Sequence, residues 1–510
     1  MSGAIEGSAL INGGIHAREW QSPEAVTGYM EKLYAEQSNQ HVEQYILENL
    51  NLVLIPVLNI DGFLQTQRYP TSVTSSRNSP RDGRMRRKNM RAADELLSTT
   101  NDNLQGVDLN RNNNPYWATN PDSSSDDSAS IVHHGNSAAS EPETQALQNA
   151  AEQANEDRLR FYIDTHSFSQ VYFTPMTGNS RRDNITEKLA GVMRAANNYS
   201  YRYSPFAAGS GIGATDEYFA DSYQIPSYTL EIEPLNSSAD YGGFGVSHDG
   251  FILPASEVSR MRHETSEASF AGLYSIAEVP SLQEIKITQN GELVFHQKWQ
   301  ASNESRVLTS IVNNTLTANT EYQLNLIFNK PMRQLNDGQV VSFASLSTVK
   351  DIALDWFIKT TNGEELYSID ISQGYWLTEG FMRYKTDSFQ VNFSLPDNFD
   401  WTSTSLLALN IQTIDMTGQA LDTNPETIVD WQNGGWINYE NTVGNSTDSG
   451  GIDKSMRLID DGSVLYSDNN DPTQPTTPEP SKSGSSGGSH SVYWLIMLVY
   501  FISLRIIIRD

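Results

Sequence analysis

The hydrophobic pattern changes period once, near Pro280, and that change constrains what this chain can fold into. Over residues 1 to about 278, strand-like apolar runs alternate with helical patterns, which predicts an α/β unit. Ala9–Gly14 reads as a strand. Ser22-Pro23-Glu24 opens a helix, with a capping residue and then Pro at the first helical position. Val26, Tyr29, Met30 and Leu33 form its apolar stripe. Leu52–Leu58 is a continuous apolar run, as expected of a buried parallel strand. Ser140-Glu141-Pro142-Glu143 reads as a capping box before Ala146, Leu147 and Ala150. Leu159–Ile163 and Tyr228–Ile232 read as further strands, and Pro254–Ile276 as a closing helix.

After Pro280, short alternating strands recur at Glu284–Thr288, Tyr322–Phe328, Val340–Phe343, Ile352–Phe357, Ser388–Phe393 and Leu406–Ile411. Asn290-Gly291, Asp337-Gly338 and Asn362-Gly363 are turn signals between them. The pattern predicts all-β sandwich structure over 281–467, as two modules. Residues 468–490 are rich in Asn, Asp, Pro, Thr, Ser and Gly and read as a disordered linker. Residues 492–508 form an apolar helix interrupted by Arg505, which reads as a membrane anchor or sorting tail.

Composition removes several function classes. The formal net charge is −28, which excludes bulk phosphate neutralisation and so argues against nucleic acid as a partner. There is no Cys, so disulfide scaffolds, thiolate zinc sites and Cys nucleophiles are excluded. Residues 281–480 carry 11 basic and 26 acidic side chains. That surface offers oxygen ligands for calcium at Asp415, Asp422 and Asn424, although ordinary turn acids are the simpler reading.

His16 and Glu19, in HAREW, stand three residues apart just after a strand, so both side chains can converge on one cation. A catalytic zinc site needs about three protein ligands and one open position. His166, in DTHSFSQ, follows another strand and is the third candidate. In a parallel α/β sheet, ligands gather at the carboxyl ends of strands. Asp108, in GVDLNRN, would take the second imidazole proton and orient the ring. His133-His134, His41, His248 and His263 read as structural, and Ser167 and Ser169 lack a paired base.

NGGIHAREW, RRKNMR, GVDLNRN, SEPET, DTHSFSQ and YTLEIEP occur in that order, and together they resemble the zinc carboxypeptidase family of the pancreatic type over roughly residues 9–278. The resemblance implies a mixed, mostly parallel sheet with helices on both faces. It implies one zinc held by His16, Glu19 and His166, with Glu231 as general base. Arg87 would stabilise the oxyanion, and Asn110 and Arg111 would grip the C-terminal carboxylate of a peptide. Arg84 would line the same entrance, and Arg18 would be an auxiliary substrate contact. Glu233 competes with Glu231, because a two-residue period puts both on one strand face. The chain departs from the family at Phe168, where pancreatic members carry tyrosine, and near Tyr203 and Phe206, where a capping tyrosine is expected. Thr215, before Asp216, stands where side-chain preference is set and leaves that preference open. Family catalytic domains carry roughly 60 residues before the first zinc ligand. Only fifteen precede His16, and no signal peptide is visible, so a truncated and less stable form is expected. The Gly-Gly linker, apolar helix and terminal Arg resemble Gram-negative sorting tails, implying an exported, surface-attached or extracellular protein.

The reading is a metallocarboxypeptidase. The alternatives are an amidohydrolase on the same scaffold, acting on cell-wall peptides or N-acyl amino acids, and an inactive surface adhesion protein.

Overall fold

A computed structural model of the chain describes residues 7–68, 85–93, 105–153, 159–197, 200–207, 211–236, 249–302, 305–313, 316–317, 319–343, 346–360, 363–395, 404–421 and 456–460. The first part is built from β1 (Gly7–Gly13), α1 (Gln21–Ala35), α2 (Val42–Asn49), β2 (Leu50–Ile55), α3 (Ile60–Gln67), α4 (Pro142–Gln153), β3 (Leu159–Ser167), β4 (Val171–Pro175), α5 (Ser180–Ala196), β5 (Arg202–Phe206), α6 (Thr215–Tyr223), β6 (Ser227–Ile232) and α7 (Ala255–Ala277). The six strands make one sheet in the order β2-β1-β3-β6-β4-β5. Only the β4–β6 pairing is antiparallel.

The sheet is covered on both faces, and the two-residue period shows how. Ala9 and Ile11 of β1 pack in one cluster with residues of α1, α2, α5 and α7. Leu10, between them, packs in a second cluster with Leu147 of α4 and Phe219 of α6. The unbroken apolar stretches Ala9–Ile11 of β1 and Phe161–Ile163 of β3 are therefore the requirement of a strand buried twice.

Several local readings change. The Leu52–Leu58 run is a parallel strand only as far as Ile55, and it is half-buried, because β2 lies at the sheet edge and Pro56 cannot donate to a ladder. Ser22 does not cap α1, whose N-cap is Trp20. The Ser22 hydroxyl instead donates to Glu19 O and accepts from Gly14 N, at 2.9 Å each. Ser140 donates to Glu141 Oε1 at 2.6 Å and accepts from Asn112 Nδ2 at 3.0 Å. Tyr203 and Phe206, near which a capping tyrosine is expected, lie on β5.

The second part consists of β7 (Leu282–Gln289), β8 (Glu292–Ser302), β9 (Ser305–Asn313), β10 (Glu321–Phe328), β11 (Gln334–Asn336), β12 (Gln339–Val341), β13 (Ile352–Thr360), β14 (Gly363–Ser368), β15 (Tyr375–Trp376), β16 (Ser388–Ser394), β17 (Thr404–Thr413) and β18 (Met456–Asp460). A six-stranded sheet, β15-β16-β10-β7-β8-β9, and a four-stranded sheet, β14-β13-β17-β18, are accompanied by the β11–β12 hairpin. Ile285, Leu324 and Phe389 of the first sheet share one hydrophobic cluster with Leu354, Trp356 and Ile411 of the second. The two sheets thus share one hydrophobic core, as the faces of a sandwich do. Asn290 (φ 51°) and Gly291 (φ 83°) make the tight β7–β8 turn, as the Asn-Gly signal requires.

The sandwich is joined to the α/β part through buried contacts. Its residues Tyr384 and Met416 belong to the same cluster as Tyr45 of α2 and Tyr274 of α7. Asp415, proposed as a calcium ligand, is fully buried and pairs with Lys330 Nζ at 2.9 Å, so its carboxylate is committed to a lysine. Asp422, Asn424 and the 468–490 and 492–508 segments, including the expected anchor and its Gly-Gly sequence, lie outside the described residues. Among the described residues, no helix is long and apolar enough to cross a membrane.

Candidate active site

The connection from β1 to α1 turns sharply at Gly14 (φ 62°), where an added Cβ would lie 3.1 Å from the backbone of Val57. That turn brings His16 and Glu19 over the carboxyl end of β1. β3 lies beside β1 in parallel, with Asn12 opposite Asp164 and Gly13 opposite Thr165, so His166 emerges at the same end. The next strand, β6, sets Glu231 opposite His166.

His16 Nδ1 lies 2.8 Å from Glu19 Oε1, and His166 Nδ1 lies 3.1 Å from Glu19 Oε2. The two Nδ1 atoms are 3.2 Å apart. One donor atom from each of the three residues lies within 4.8 Å of the others, and all three residues are buried. The opposite ring nitrogens face carboxylates: His16 Nε2 is 3.2 Å from Asp108 Oδ1, and His166 Nε2 is 2.9 Å from Asp164 Oδ2. Protons on both Nε2 atoms leave both Nδ1 lone pairs pointing at the shared centre, beside a carboxylate. Two lone pairs and an anion converging in a buried space is the donor set a zinc ion takes, and these residues fit one. Burial pushes the Glu19 carboxyl up, but the adjoining His16 and His166 outweigh it and hold it below the usual carboxylate range.

Around this centre, burial would raise the Asp108 carboxyl, but Arg87, Arg111 and His16 hold it well below its ordinary value. Arg87 donates from Nε to Asp108 Oδ2 at 2.9 Å. Asn110 Oδ1 accepts from Thr215 N at 2.9 Å. Arg111 is held by Nε to Ser123 O and by Nη1 to Asn110 O, at 2.7 Å each. Arg18 lies with its guanidinium 4.3 Å over the Phe251 ring, and burial, then Arg87, lowers it to about 10. Arg84 lies outside the described residues.

Glu231 and Glu233, equivalent by period, differ in their partners. β6 ends at Ile232, and the Glu233 carboxylate is held by Arg260 Nη2 at 2.9 Å to each oxygen. Glu231 Oε2 is buried and has no hydrogen-bond partner among the described residues. Burial, reinforced by Glu19, pushes Glu231 up to about 8. That oxygen, one strand away from His166, is placed to act as a proton acceptor.

Other residues were not singled out from sequence. Asp164 is one, although its place two residues before His166 on a strand was a usable signal. Phe251 is another: it meets Phe168 edge-on at 5.0 Å and carries Arg18, yet no local sequence cue links residues so far apart. Thr215 is committed elsewhere, donating its hydroxyl to Asp164 Oδ2 at 2.6 Å. His133 and His134 lie apart from the metal set, stacked on one another and bonded to turn carbonyls of Ser125 and Gly135.

The zinc carboxypeptidase family profile matches residues 5–268. Carboxypeptidase B of Helicoverpa zea is 28% identical over 271 residues, which are 52% of this chain and 57% of that protein. Human carboxypeptidase O is 29% identical over 267 residues, 50% of this chain and 62% of that protein. The chain thus spans less than two thirds of the length of these relatives. Among solved structures, carboxypeptidase A of Helicoverpa armigera aligns with a TM-score of 0.43 and 24% identity, over 54% of this chain and 62% of that one.

Proposed function

The chain belongs to the zinc carboxypeptidase family, and from that premise we propose that it removes C-terminal residues from peptides by metal-assisted hydrolysis. The observation that carries the reading is the convergence of His16 Nδ1, Glu19 and His166 Nδ1, with the unpartnered Glu231 oxygen on the neighbouring strand. When bound, zinc supplies the Lewis acidity that activates water and polarises the scissile carbonyl. Glu231 takes the proton of the attacking water and returns it to the departing nitrogen. Arg87, fixed by Asp108, offers a cation to the developing oxyanion. Asn110 and Arg111 receive the free carboxylate of the substrate.

The test is a peptide-library digest read by mass spectrometry. Loss of single C-terminal residues, stopped by a chelator and absent on C-terminally amidated peptides, is the expected result. Equal cleavage of amidated peptides would remove the carboxylate grip and favour an amidohydrolase. Bound zinc with no cleavage of any peptide would favour a binding protein.

We further propose that Asp216, the residue after Thr215, biases side-chain preference. It is buried at the start of α6, makes no ion pair among the described residues, and bonds to Thr229, which shares a β6 face with Glu231. Burial, then Glu217, raises its carboxyl to about 7. A buried acid lacking a cation is relieved by a cationic side chain from the substrate. Peptides ending in Lys or Arg are expected to be cleaved faster than those ending in Leu. Asp216→Asn should erase roughly 10–100-fold of that ratio, the worth of a charged hydrogen bond. An unchanged Lys-to-Leu ratio of kcat/KM in Asp216→Asn would sink the assignment.

A further inference from the structure

Asp164 is fully buried, and its two oxygens collect three donors from three parts of the chain. Oδ1 accepts from Asn12 Nδ2 at 2.6 Å. Oδ2 faces His166 Nε2 at 2.9 Å and accepts from the Thr215 hydroxyl at 2.6 Å. The register explains the convergence. Asp164 and His166 share one face of β3, Asn12 lies opposite Asp164 on β1, and Thr215 begins α6. Asn12 is itself held from behind, since the Tyr162 hydroxyl donates to its Oδ1 at 2.6 Å.

Thr215 reaches in two directions. Its hydroxyl binds Asp164 while its backbone N–H binds Asn110 Oδ1 at 2.9 Å. Asn110 Nδ2 lies 3.5 Å from His166 Nε2. If that nitrogen were a lone pair, it would draw the amide inward. With Nε2–H given to Asp164, it offers Asn110 no acceptor, and the Nδ2 donors are left for a ligand.

We propose that Asp164 is a positioning residue for both halves of the site: it fixes the His166 ring with Nδ1 toward the metal, and through Thr215 it fixes the Asn110 amide toward the substrate carboxylate. This rests on the metallopeptidase reading above. A buried carboxylate that only filled space would leave both functions untouched when replaced by its isosteric amide.

The test uses the full chain labelled with 15N-histidine, wild type, Asp164→Asn and Thr215→Val. In the zinc-loaded wild type, the His166 Nε2 proton is expected at low field and slow to exchange with water. In Asp164→Asn that signal should move upfield and exchange faster. Zinc affinity, read by competition with a fluorescent chelator, should fall about 10–100-fold, the usual cost of losing such a partner. Thr215→Val should bind zinc as tightly as wild type and raise KM with little change in kcat. Wild-type zinc affinity in Asp164→Asn, or a His166 bound through Nε2, would overturn the proposal while leaving the metallopeptidase reading intact. A wild-type chain that binds no zinc would overturn both. If Asp164→Asn does not fold, the wild-type His166 signal and the KM of Thr215→Val decide, and an ordinary value of either refutes the coupling.

Discussion

Replacing Glu231 by glutamine is expected to lower kcat by about 10²–10⁴-fold, the usual contribution of a positioned general base, while zinc stays bound. Glutamine has the shape of glutamate, so the β6 pairing that sets residue 231 opposite His166 on one side and Val171 on the other is preserved. What is lost is the basic oxygen that can take a proton. Among the described residues no donor binds Glu231 Oε2, so the substitution strands none of their buried groups. Glu231 is absent from the converging ligand set, so metal content should be stoichiometric by elemental analysis. Glu233→Gln is the matched control. Its carboxylate is engaged by Arg260, and turnover should remain within a few-fold of wild type. The reverse pattern, an active Glu231→Gln and an inactive Glu233→Gln, would transfer the base to residue 233.

That pair of glutamates shows where sequence reasoning stops. Period two makes them equivalent. What separates them is the end of β6 at Ile232 and an arginine 27 residues further on. The convergence of His16, Glu19 and His166 was legible for the opposite reason. His16 and Glu19 sit within one tight connection, and His166 lies near the end of a strand strong enough to be recognised from its apolar residues alone. Asp108 was legible as an orienter because its motif also carries Asn110 and Arg111. Contacts that depend on how distant loops fold over the site were not legible, as with Phe251 and Arg18, or Thr215 and Asp164. In the second part, alternation and Asn-Gly turns disclosed strands. Only the shared cluster of Leu324 and Trp356 shows that they build one core. Asp415 looked like an exposed turn acid because nothing near it in sequence announces Lys330.

Lys330→Ala is expected to destabilise the chain by about 3–5 kcal/mol, the usual cost of removing one partner from a buried ion pair. Both members of the Lys330–Asp415 pair are fully buried. Nζ also donates to Glu278 O at 2.7 Å and Tyr274 O at 3.3 Å, and lies 3.8 Å over the Tyr274 ring. These carbonyls belong to the C-terminal end of α7, where a helix leaves its last acceptors unsatisfied and its dipole favours a cation. From the other side, Arg160 Nη1 donates to Ile276 O and Ala277 O at 3.1 and 2.7 Å. α7 is therefore capped by one cation from the sheet and one from the sandwich, which makes the sandwich part of how the α/β unit is closed. Arg160 stands at the start of β3 and His166 near its end, about 20 Å apart at the usual strand rise. Loss of Lys330 should thus lower the urea midpoint without altering kcat/KM of the molecules that remain folded. The double replacement Lys330→Met with Asp415→Asn removes both charges and keeps an acceptor for the Thr417 and Gln419 N–H groups now bonded to Asp415. It should recover most of the lost stability. A single Lys330→Ala variant within about 1 kcal/mol of wild type would be the cost of an exposed pair, not a buried one, and would mean that α7 is held without the sandwich.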